Sequence, residues 1–333
     1  MAARERRYNA VITATGRYLP DKVLTNHDLE KIVDTSDSWI RQRTGIVERR
    51  ILDGQPTSFM AVDVARQILA QRQLDPQEID LIIVATVTPD MVFPATACLV
   101  QDQIGAGRAW AYDLAAACSG FVYAVVAGAQ FIESGAHRKV LVIGADKMSA
   151  ILDFQDRSTC ILFGDGAGGV LLERSDDGEA GLLDFELRAD GSGGDQLNLR
   201  GGGSLHPATH ESVDQRLHYV YQEGRTVFKF AVVKMAEVSV SLLERNGLTG
   251  SDLKLFVPHQ ANLRIIEASA NRMNLRPEQV VVNIDRCANT TAATIPIALS
   301  EVCDEGRLES GDLVLMAAVG GGLTWGAALF RWA

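Results

Sequence analysis

The sequence of 333 residues predicts an α/β protein in which helices cover buried β-strands. Uninterrupted apolar runs, such as Asp80–Thr86 and His137–Gly144, are typical of strands that are covered on both faces. Segments with helical periodicity alternate with these runs along the chain. The order of elements also repeats, because sliding one half over the other places Cys118 on Asn289. The repeat predicts two copies of one unit, which we expect to occupy residues 1–175 and 176–333.

In the first half, strands are predicted from alternating or continuous β-prone runs, and helices from capping residues followed by apolar periodicity. The glycine-rich run after Ile161 suggests a turn. The predicted elements are strand Ala10–Thr15, a helix capped by Thr25 or Asn26, a helix capped by Thr57 or Ser58 and ending at Ala70, strand Asp80–Thr86, helix Pro94–Ile104, a short strand before and an apolar helix after Cys118, strand His137–Gly144, and a strand hairpin within Ile161–Leu172.

The second half begins with a stretch rich in glycine and aspartate, Asp176–Ser204, which is typical of strands joined by loops. Alternating helical and strand patterns follow. They predict helix Gly224–Asn246, strand Leu253–Val257, helix Leu263–Met273, strand Val280–Ile284, helix Thr294–Cys303, and strands Leu313–Ala318 and Gly326–Arg331.

Composition indicates a reduced, cytoplasmic protein. The net charge of -10 argues against a nucleic-acid partner, although a local basic patch remains compatible with it. The five cysteines are odd in number and none are spaced as CxxC, which favours free thiols. The charged start of the chain is not followed by an apolar signal core, and the most apolar helix is shorter than the ~20 residues of a membrane span. We therefore expect no membrane partner.

Cys118 lies between an Ala-rich turn and an apolar helix. Unpaired N–H groups and the positive end of the helix dipole can lower a cysteine pKa from about 8.5 to roughly 3.5–7.5. A thiol there is either a nucleophile at neutral pH or a small buried apolar side chain.

Three further stretches carry groups that could stabilise a developing oxyanion. His259 ends a buried strand, where α/β proteins bind ligands, although a lone histidine is more often structural. Asn289 precedes a helix, where it is either an N-cap or a donor to a developing oxyanion. The glycines of Val319–Gly326 let backbone N–H groups approach a reacting carbonyl, or form a tight turn. Together, Cys118, His259 and Asn289 supply a thiolate and two donors for a developing oxyanion.

Two further patterns are misleading. Gly164–Gly169 fits GxGxxG, but a strand follows it where a dinucleotide site requires a helix. His206 and His210 have the spacing of metal ligands on a helix, but Pro207 and the surrounding loop residues argue against a helix there. We therefore expect neither a dinucleotide nor a metal.

The motifs resemble those of the β-ketoacyl-ACP synthase III family, in the right order and over essentially the whole chain. The motifs are Asp34–Ile46 (DTSDSWIRQRTGI), Asp113–Phe121 (DLAAACSGF), Phe163–Gly168 (FGDGAG), Val257–Asn262 (VPHQAN), Asn289–Pro296 (NTTAATIP) and Gly320–Gly326 (GGGLTWG). The resemblance implies a thiolase-like fold, with two duplicated halves in a five-layer αβαβα arrangement, and a homodimer.

The resemblance also implies a mechanism without a cofactor. Cys118 would accept the acyl group of a short acyl-CoA, and His259 and Asn289 would stabilise the enolate formed when malonyl-ACP loses CO2. The backbone N–H groups of Cys118 and Gly321 would form the oxyanion hole. The product, 3-oxoacyl-ACP, would initiate fatty acid synthesis. One alternative is a related enzyme of a secondary-metabolite pathway with another primer or acceptor. A second is a non-catalytic carrier-binding subunit, which the presence of Cys118 and His259 disfavours. A third is a thiolase, which would need a second cysteine near the C-terminal glycines.

Binding residues follow from the same resemblance. Those implied to contact CoA are Thr35, Trp39, Arg43, Arg157 and Asn262, with Trp39 and Arg157 flanking the adenine. Those implied to meet the acyl carrier protein are Gln260, Ala261, Asn262, Leu263 and Arg264. The acyl pocket would involve Phe93, reaching into the partner subunit, together with Val319 and Leu323. Ser158, Cys287, Ala288, Val319 and Leu323 depart from the common family pattern, which bears on primer size rather than on the reaction.

Overall fold

Two β-sheets with helices between and outside them form the frame of the protein, in a computed structural model that describes residues 7–176 and 178–333. Residues 1–6 and Asp177 lie outside this range. Part of the expectation about the charged start of the chain concerns residues 1–6. The strands are β1 (Asn9–Tyr18), β2 (Val23–Thr25), β3 (Glu48–Arg50), β4 (Leu81–Ala85), β5 (Trp110–Leu114), β6 (Lys139–Lys147), β7 (Asp165–Ser175), β8 (Gly181–Ala189), β9 (Leu197–Leu199), β10 (Val220–Gln222), β11 (Leu255–Pro258), β12 (Leu313–Gly320) and β13 (Thr324–Arg331). The α-helices are α1 (Asn26–Leu29), α2 (Asp37–Thr44), α3 (Thr57–Arg72), α4 (Thr96–Gln103), α5 (Gly120–Glu133), α6 (His210–Asp214), α7 (Gly224–Arg245), α8 (Leu263–Arg272), α9 (Ile284–Cys287) and α10 (Thr294–Asp304).

The two large sheets share one connectivity. The first has the order β1-β7-β6-β4-β5, in which β4 runs parallel to β5 and β6, and β7 runs antiparallel to both of its neighbours. The second has the order β8-β13-β12-β11, in which β11 runs parallel to β12, and β13 runs antiparallel to both of its neighbours. The counterpart of β5 is reduced to a single parallel bridge between Val280 and Phe256. The duplication expected from the sequence is therefore present in the fold, whereas the boundary between residues 175 and 176 stays a prediction.

Helices α5 and α10 lie between the sheets and share one apolar core with β6 of the first sheet and β12 of the second. Helices α3 and α4 cover the outer face of the first sheet, and α7 and α8 cover the outer face of the second. The result is the five-layer αβαβα arrangement that the resemblance implied. Because α5 begins two residues after Cys118 and α10 five residues after Asn289, the central layer brings both residues toward the middle of the molecule.

Most predicted elements are present within a few residues of the expected bounds, but the hairpin within Ile161–Leu172 is wrong. Gly166, Gly168 and Gly169 belong to β7, which is one continuous strand, and Gly164 directly precedes it. A Cβ at Gly168 would lie 2.6 Å from the backbone nitrogen of Ile297 in α10. The glycines therefore permit close packing of a helix on a strand and do not form a turn.

Two smaller expectations also fail. Val280–Ile284 is not a strand, because only one bridge forms before α9 begins at Ile284. Helix α3 has no side-chain cap. Instead, the hydroxyl of Thr57 donates to the backbone oxygen of Thr88 at 2.6 Å, and the hydroxyl of Ser58 donates to Asp90 at 2.6 Å. These side chains tie the helix to the loop after β4. By contrast, Thr25 does cap α1, in a capping box with Asp28.

Within residues 7–176 and 178–333, no helix combines the length and the apolar character needed to cross a membrane.

Candidate active site

Cys118 lies in a short 3-10 turn, Ala117–Ser119, between β5 and α5. The preceding residue, Ala117, has a positive φ of 46°, which is uncommon for a residue with a side chain. Cys118 is 7% exposed. A tight turn therefore presents the sulfur at the start of an apolar helix, as the sequence predicted.

The glycine-rich turn between β12 and β13 lies against this nucleophile turn. A Cβ at Gly320 would stand 2.7 Å from the backbone nitrogen of Cys118, so this close approach requires glycine. The Ser119 hydroxyl donates to the backbone oxygen of Thr324, and the Thr324 hydroxyl donates to the backbone oxygen of Ala116, each at 3.1 Å. These contacts join the two halves at the reacting sulfur.

His259 follows β11 and is 2% exposed. Its backbone N–H donates to Ala317 O of β12 at 2.8 Å, which holds the residue at the end of the sheet. Its Nδ1 lies 2.7 Å from the Thr294 hydroxyl, so Nε2 is the ring nitrogen available to the cavity. Burial lowers the pKa of His259 to about 3, and the imidazole is therefore neutral at physiological pH.

Asn289 is not an N-cap. The N-cap residue of α10 is Ala293, and no side chain makes a capping hydrogen bond to this helix. The Asn289 side-chain oxygen accepts a hydrogen bond from the backbone N–H of Thr291 at 2.9 Å. This Asx-type turn fixes the orientation of the amide. The Asn289 side chain also hydrogen-bonds Cys118, which favours the ionised form of the thiol. With the oxygen already engaged, the NH2 group is the part that can donate into the site.

The expectation of a lowered thiol pKa is wrong. Burial raises the pKa of Cys118 to about 12, and the charge of Asp146 acts in the same direction. The thiol's own backbone N–H and the Asn289 side chain lower it by less. The sequence places the sulfur at a helix start, but it does not reveal how completely the surrounding layers remove water from it.

One cavity of about 660 Å³ contains all three of these residues. Cys118, His259 and Asn289 line its buried end. Four exposed cationic side chains line its outer part, namely Arg43, Arg225, Lys229 and Arg264. Among the residues that the structure describes, no acidic side chain lines the cavity. A protein with a net charge of -10 thus presents a positive mouth above a buried thiol.

The structure brings most of the residues implied for CoA to this cavity. Trp39, Arg43 and Asn262 line it, and Asn262 donates to the backbone oxygen of Arg43 at 2.9 Å. Arg157 lies over the Trp39 ring at 5.4 Å and donates to the backbone oxygen of Asp34. For a base to stack between them, Trp39 and Arg157 would have to stand ~7 Å apart, which is twice an ordinary contact distance. Arg157 would therefore have to move. Thr35 is half-buried near this end, and its hydroxyl is buried without a hydrogen-bond partner.

The residues implied to meet the carrier protein do not all reach the surface. Gln260 is fully buried, and its amide bonds Pro258 O, Val281 O and Asn283 N, so its assignment to a carrier surface is wrong. Its burial follows from its place at the end of the covered strand β11. The remaining residues of the segment lie at the start of α8: Ala261, Asn262 and Leu263 are partly exposed, and Arg264 is exposed.

A second, mostly apolar cavity of about 330 Å³ also opens onto Cys118. Gly321 lines it beside the sulfur, which suits the oxyanion hole implied for its N–H group. None of the three residues implied for the acyl pocket lines this cavity. Phe93 is 82% exposed, Val319 lines the larger cavity, and Leu323 is buried against Gly193. The apolar walls come from residues that the sequence did not single out: Val87, Met148, Ile151, Leu197, Leu199 and Val220.

Sequence reasoning also missed Arg225 and Lys229 on α7. Their spacing of one helical turn is visible in the sequence, but their position at the cavity mouth is not. Thr294 was missed as the partner of His259, and it lies in a quoted motif. Within residues 7–176 and 178–333, no group of three His, Cys, Asp or Glu side chains is placed to hold a metal ion.

Comparisons with known proteins agree with this geometry. Family models described as 3-oxoacyl-[acyl-carrier-protein (ACP)] synthase III and as its C-terminal part match residues 112–191 and 243–332. Beta-ketoacyl-[acyl-carrier-protein] synthase III of Chlorobium phaeovibrioides is 57% identical over 97% of this chain and 99% of its own length. The relative of the same name from Solibacter usitatus is 56% identical, again over 97% and 99%.

A crystal structure of 3-oxoacyl-[acyl-carrier-protein] synthase III from Aquifex aeolicus superposes with a TM-score of 0.89 at 49% identity, covering 97% of this chain and 100% of that one. Because relatives above half identity span nearly the full length, the resemblance of the motifs reflects common descent. The chain belongs to the β-ketoacyl-ACP synthase III family, which consists of condensing acyltransferases with the thiolase fold.

Proposed function

We propose that this protein condenses a short acyl-CoA primer with malonyl-ACP, with loss of CO2, to give the 3-oxoacyl-ACP that initiates fatty acid synthesis. The observation that carries the proposal is the larger cavity, which has Cys118, His259 and Asn289 at its buried end and four cations at its mouth. A phosphate-bearing thioester fits this distribution, because its charged end can remain at the mouth while its thioester reaches the sulfur.

In the first half-reaction, the sulfur of Cys118 attacks the thioester carbonyl of acyl-CoA. The proton of the thiol leaves with the CoA sulfur, so the products are acyl-Cys118 and free CoA. The N–H groups of Cys118 and Gly321 stabilise the tetrahedral oxyanion, since both line the cavity beside the sulfur. The acyl chain then occupies the apolar cavity of about 330 Å³.

In the second half-reaction, malonyl-ACP loses CO2 and the resulting enolate attacks acyl-Cys118. The thiolate of Cys118 leaves and takes up one proton. His259 and Asn289 donate to the thioester oxygen on which the enolate charge develops. A neutral imidazole suits this role, because a hydrogen-bond donor in a dry site needs no change of charge.

Thr294 determines which ring nitrogen of His259 carries the proton. Its hydroxyl has one hydrogen, which can go to Nδ1 of His259 at 2.7 Å or to the backbone oxygen of Thr291 at 3.3 Å. The shorter bond favours donation to Nδ1, and the ring then carries its hydrogen on Nε2, facing the cavity. This tautomer is the one that can donate to the enolate.

The same cations provide a docking surface for the acyl carrier protein. Arg225, Lys229 and Arg264 are exposed around the mouth, and Arg264 lies over the ring of Phe228 at 5.0 Å. Carrier proteins are acidic, so a local basic patch offsets the like net charge of the two proteins.

We further propose a cytoplasmic homodimer. Strand β5 is the edge of the first sheet, and its residues are only partly buried, although an unpaired edge normally requires cover. Met91, Val92 and Phe93 form a run of exposed large apolar side chains, which supports a second copy as their partner. Light scattering of the purified protein tests the dimer, and a monomer at micromolar concentration would contradict it.

The experiment that tests the reaction is intact-protein mass spectrometry after a challenge with mixed acyl-CoA primers, followed by malonyl-ACP. The wild-type protein should gain one acyl group, and peptide mapping should place it on Cys118. Cys118→Ser should gain none. His259→Ala and Asn289→Ala should acquire the acyl group but not release CO2 from malonyl-ACP. Normal condensation by either variant would refute its assigned role.

The relatives reported above favour fatty acid synthesis over the alternative of a secondary-metabolite pathway. The same challenge separates the two, because it shows which primer accumulates on Cys118 and whether malonyl-ACP removes it.

A further inference from the structure

Asp146 is a fully buried carboxylate that the reaction described above does not use. It lies near the end of β6, where the first half meets the turn that follows Asn289. Its Oδ1 accepts four hydrogen bonds from the loop after β4: from Thr86 Oγ1, Val87 N, Thr88 N and Thr88 Oγ1, at 2.8–3.2 Å. Its Oδ2 accepts a fifth bond, at 3.1 Å, from the backbone N–H of Ala292 in the second half.

The turn that Asp146 contacts is the one that orients Asn289. Ala292 directly follows Thr291, whose N–H donates to the Asn289 side chain at 2.9 Å. Thr291 has a positive φ of 54°, which is strained for a β-branched residue and persists only where its surroundings enforce it. A tether on the next residue is such a constraint.

Two close approaches show that the turn is fitted to its surroundings. A Cβ at Gly144 would lie 2.3 Å from Ala292 O, so only glycine lets the turn lie this close to β6. A Cβ at Gly120 would lie 3.4 Å from the Ala292 side chain, which places Ala292 beneath the start of α5. Ala292 is thus held between the nucleophile helix and Asp146.

We propose that Asp146 is a positioning residue, whose carboxylate ties the turn carrying Asn289 to the half that carries Cys118 and so fixes the Asn289 amide for enolate stabilisation. The proposal rests on the function proposed above. Asp146 also affects the sulfur electrostatically, because its negative charge raises the pKa of Cys118. The tether depends on a carboxylate because one oxygen must accept from each half of the molecule, and the electrostatic effect depends on its negative charge.

The test is Asp146→Asn in the full-length protein. Asparagine has the same shape but only one accepting oxygen. Its NH2 group would therefore face the donors of either the loop after β4 or Ala292, and the hydrogen bonds on that side would be lost. We expect acylation of Cys118 to change by less than about threefold and decarboxylation of malonyl-ACP to fall by about tenfold or more, because small displacements of a positioned group have effects of this size. The pH midpoint of Cys118 alkylation should move to lower pH.

Asp165→Asn is the matched control. Asp165 is equally buried and accepts three bonds, from Ser149 N, Ser149 Oγ and Leu52 N, but it does not bond the turn after Asn289. This variant should lower thermal stability while the ratio of the two half-reactions and the alkylation midpoint stay unchanged.

The proposal is overturned if Asp146→Asn reduces both half-reactions in proportion, as a general loss of stability would, and leaves the alkylation midpoint unchanged. If Asp146→Asn does not fold, Gly144→Ala can be used instead, because its Cβ would displace the same turn. An unchanged ratio of the two half-reactions in Gly144→Ala then overturns the proposal. The proposed function fails separately, if Asn289→Ala itself condenses normally. When Asn289→Ala is defective and Asp146→Asn is not, only the positioning role is refuted.

Discussion

Alkylation of the resting enzyme measures how reactive the free thiol of Cys118 is. Burial raises the pKa of Cys118 to about 12, against about 8.5 for an exposed cysteine. The positive end of α5 opposes this, but a helix terminus contributes at most ~2 kcal/mol, which is about 1.5 pKa units. Burial therefore outweighs the helix end.

The net difference sets the expected rate. A rise of about 3.5 units, reduced by about 1.5 for the helix end, makes the thiolate roughly a hundredfold scarcer than in an exposed cysteine at pH 7.5. A more basic thiolate is also more nucleophilic, which restores about tenfold over two units. Iodoacetamide should therefore alkylate Cys118 about tenfold more slowly than an exposed cysteine, with a rate that still rises above pH 9.

The assay is alkylation of the resting enzyme between pH 6 and pH 10, read peptide by peptide by mass spectrometry. Cys287 is an internal reference, since burial raises its pKa to about 12 as well, and the protein unfolded in urea provides the exposed reference. A plateau for Cys118 below pH 8 would refute the reasoning, because it would mean that the helix end and the hydrogen-bond donors outweigh burial.

Three further predictions concern the groups around the thiol. Thr294→Val should slow decarboxylation of malonyl-ACP by about tenfold while Cys118 still acylates, whereas Thr294→Ser should keep the rate near wild type, because only the hydroxyl fixes the His259 tautomer. The double variant Arg225→Glu, Lys229→Glu reverses the charge at the cavity mouth and should raise the KM for the carrier protein by about tenfold at low salt. Arg108 is exposed and lies outside both cavities, so Arg108→Glu should leave this KM unchanged. The pKa of His259 is about 3 when folded and ~6.5 when unfolded, so its contribution to stability is present above pH 6.5 and is lost as pH falls toward 3. Between pH 7.5 and pH 5 the free energy of unfolding of the wild type should therefore lose ~2 kcal/mol more than that of His259→Gln, and equal slopes in urea titrations would contradict this.

The sequence predicts the layers of the fold and the three central residues because both leave local signals. Buried strands and amphipathic helices have periodicities that do not depend on their partners. Cys118 and Asn289 precede the two central helices, so the repeat alone indicated that they are equivalent positions in the two halves.

Features that depend on contacts between distant segments could not be predicted in this way. Gly168 looks like a turn residue until α10 is seen packed against it. Gln260 is polar and follows a strand, yet it is buried because its amide satisfies three backbone groups. Arg225 and Lys229 differ from other exposed cations only because α7 places them at the cavity mouth.

The raised thiol pKa and the proposed chemistry have one physical origin. Layers that exclude water from Cys118 disfavour its charge at rest, but they equally strengthen every hydrogen bond made to an oxyanion or enolate in the same cavity. The first half-reaction forms no lasting charge, since the proton of the thiol leaves with CoA. The second depends on charge that develops on the malonyl thioester, beside His259 and Asn289. A dry site with a neutral thiol and neutral donors therefore favours condensation over indiscriminate reaction of the free enzyme with electrophiles.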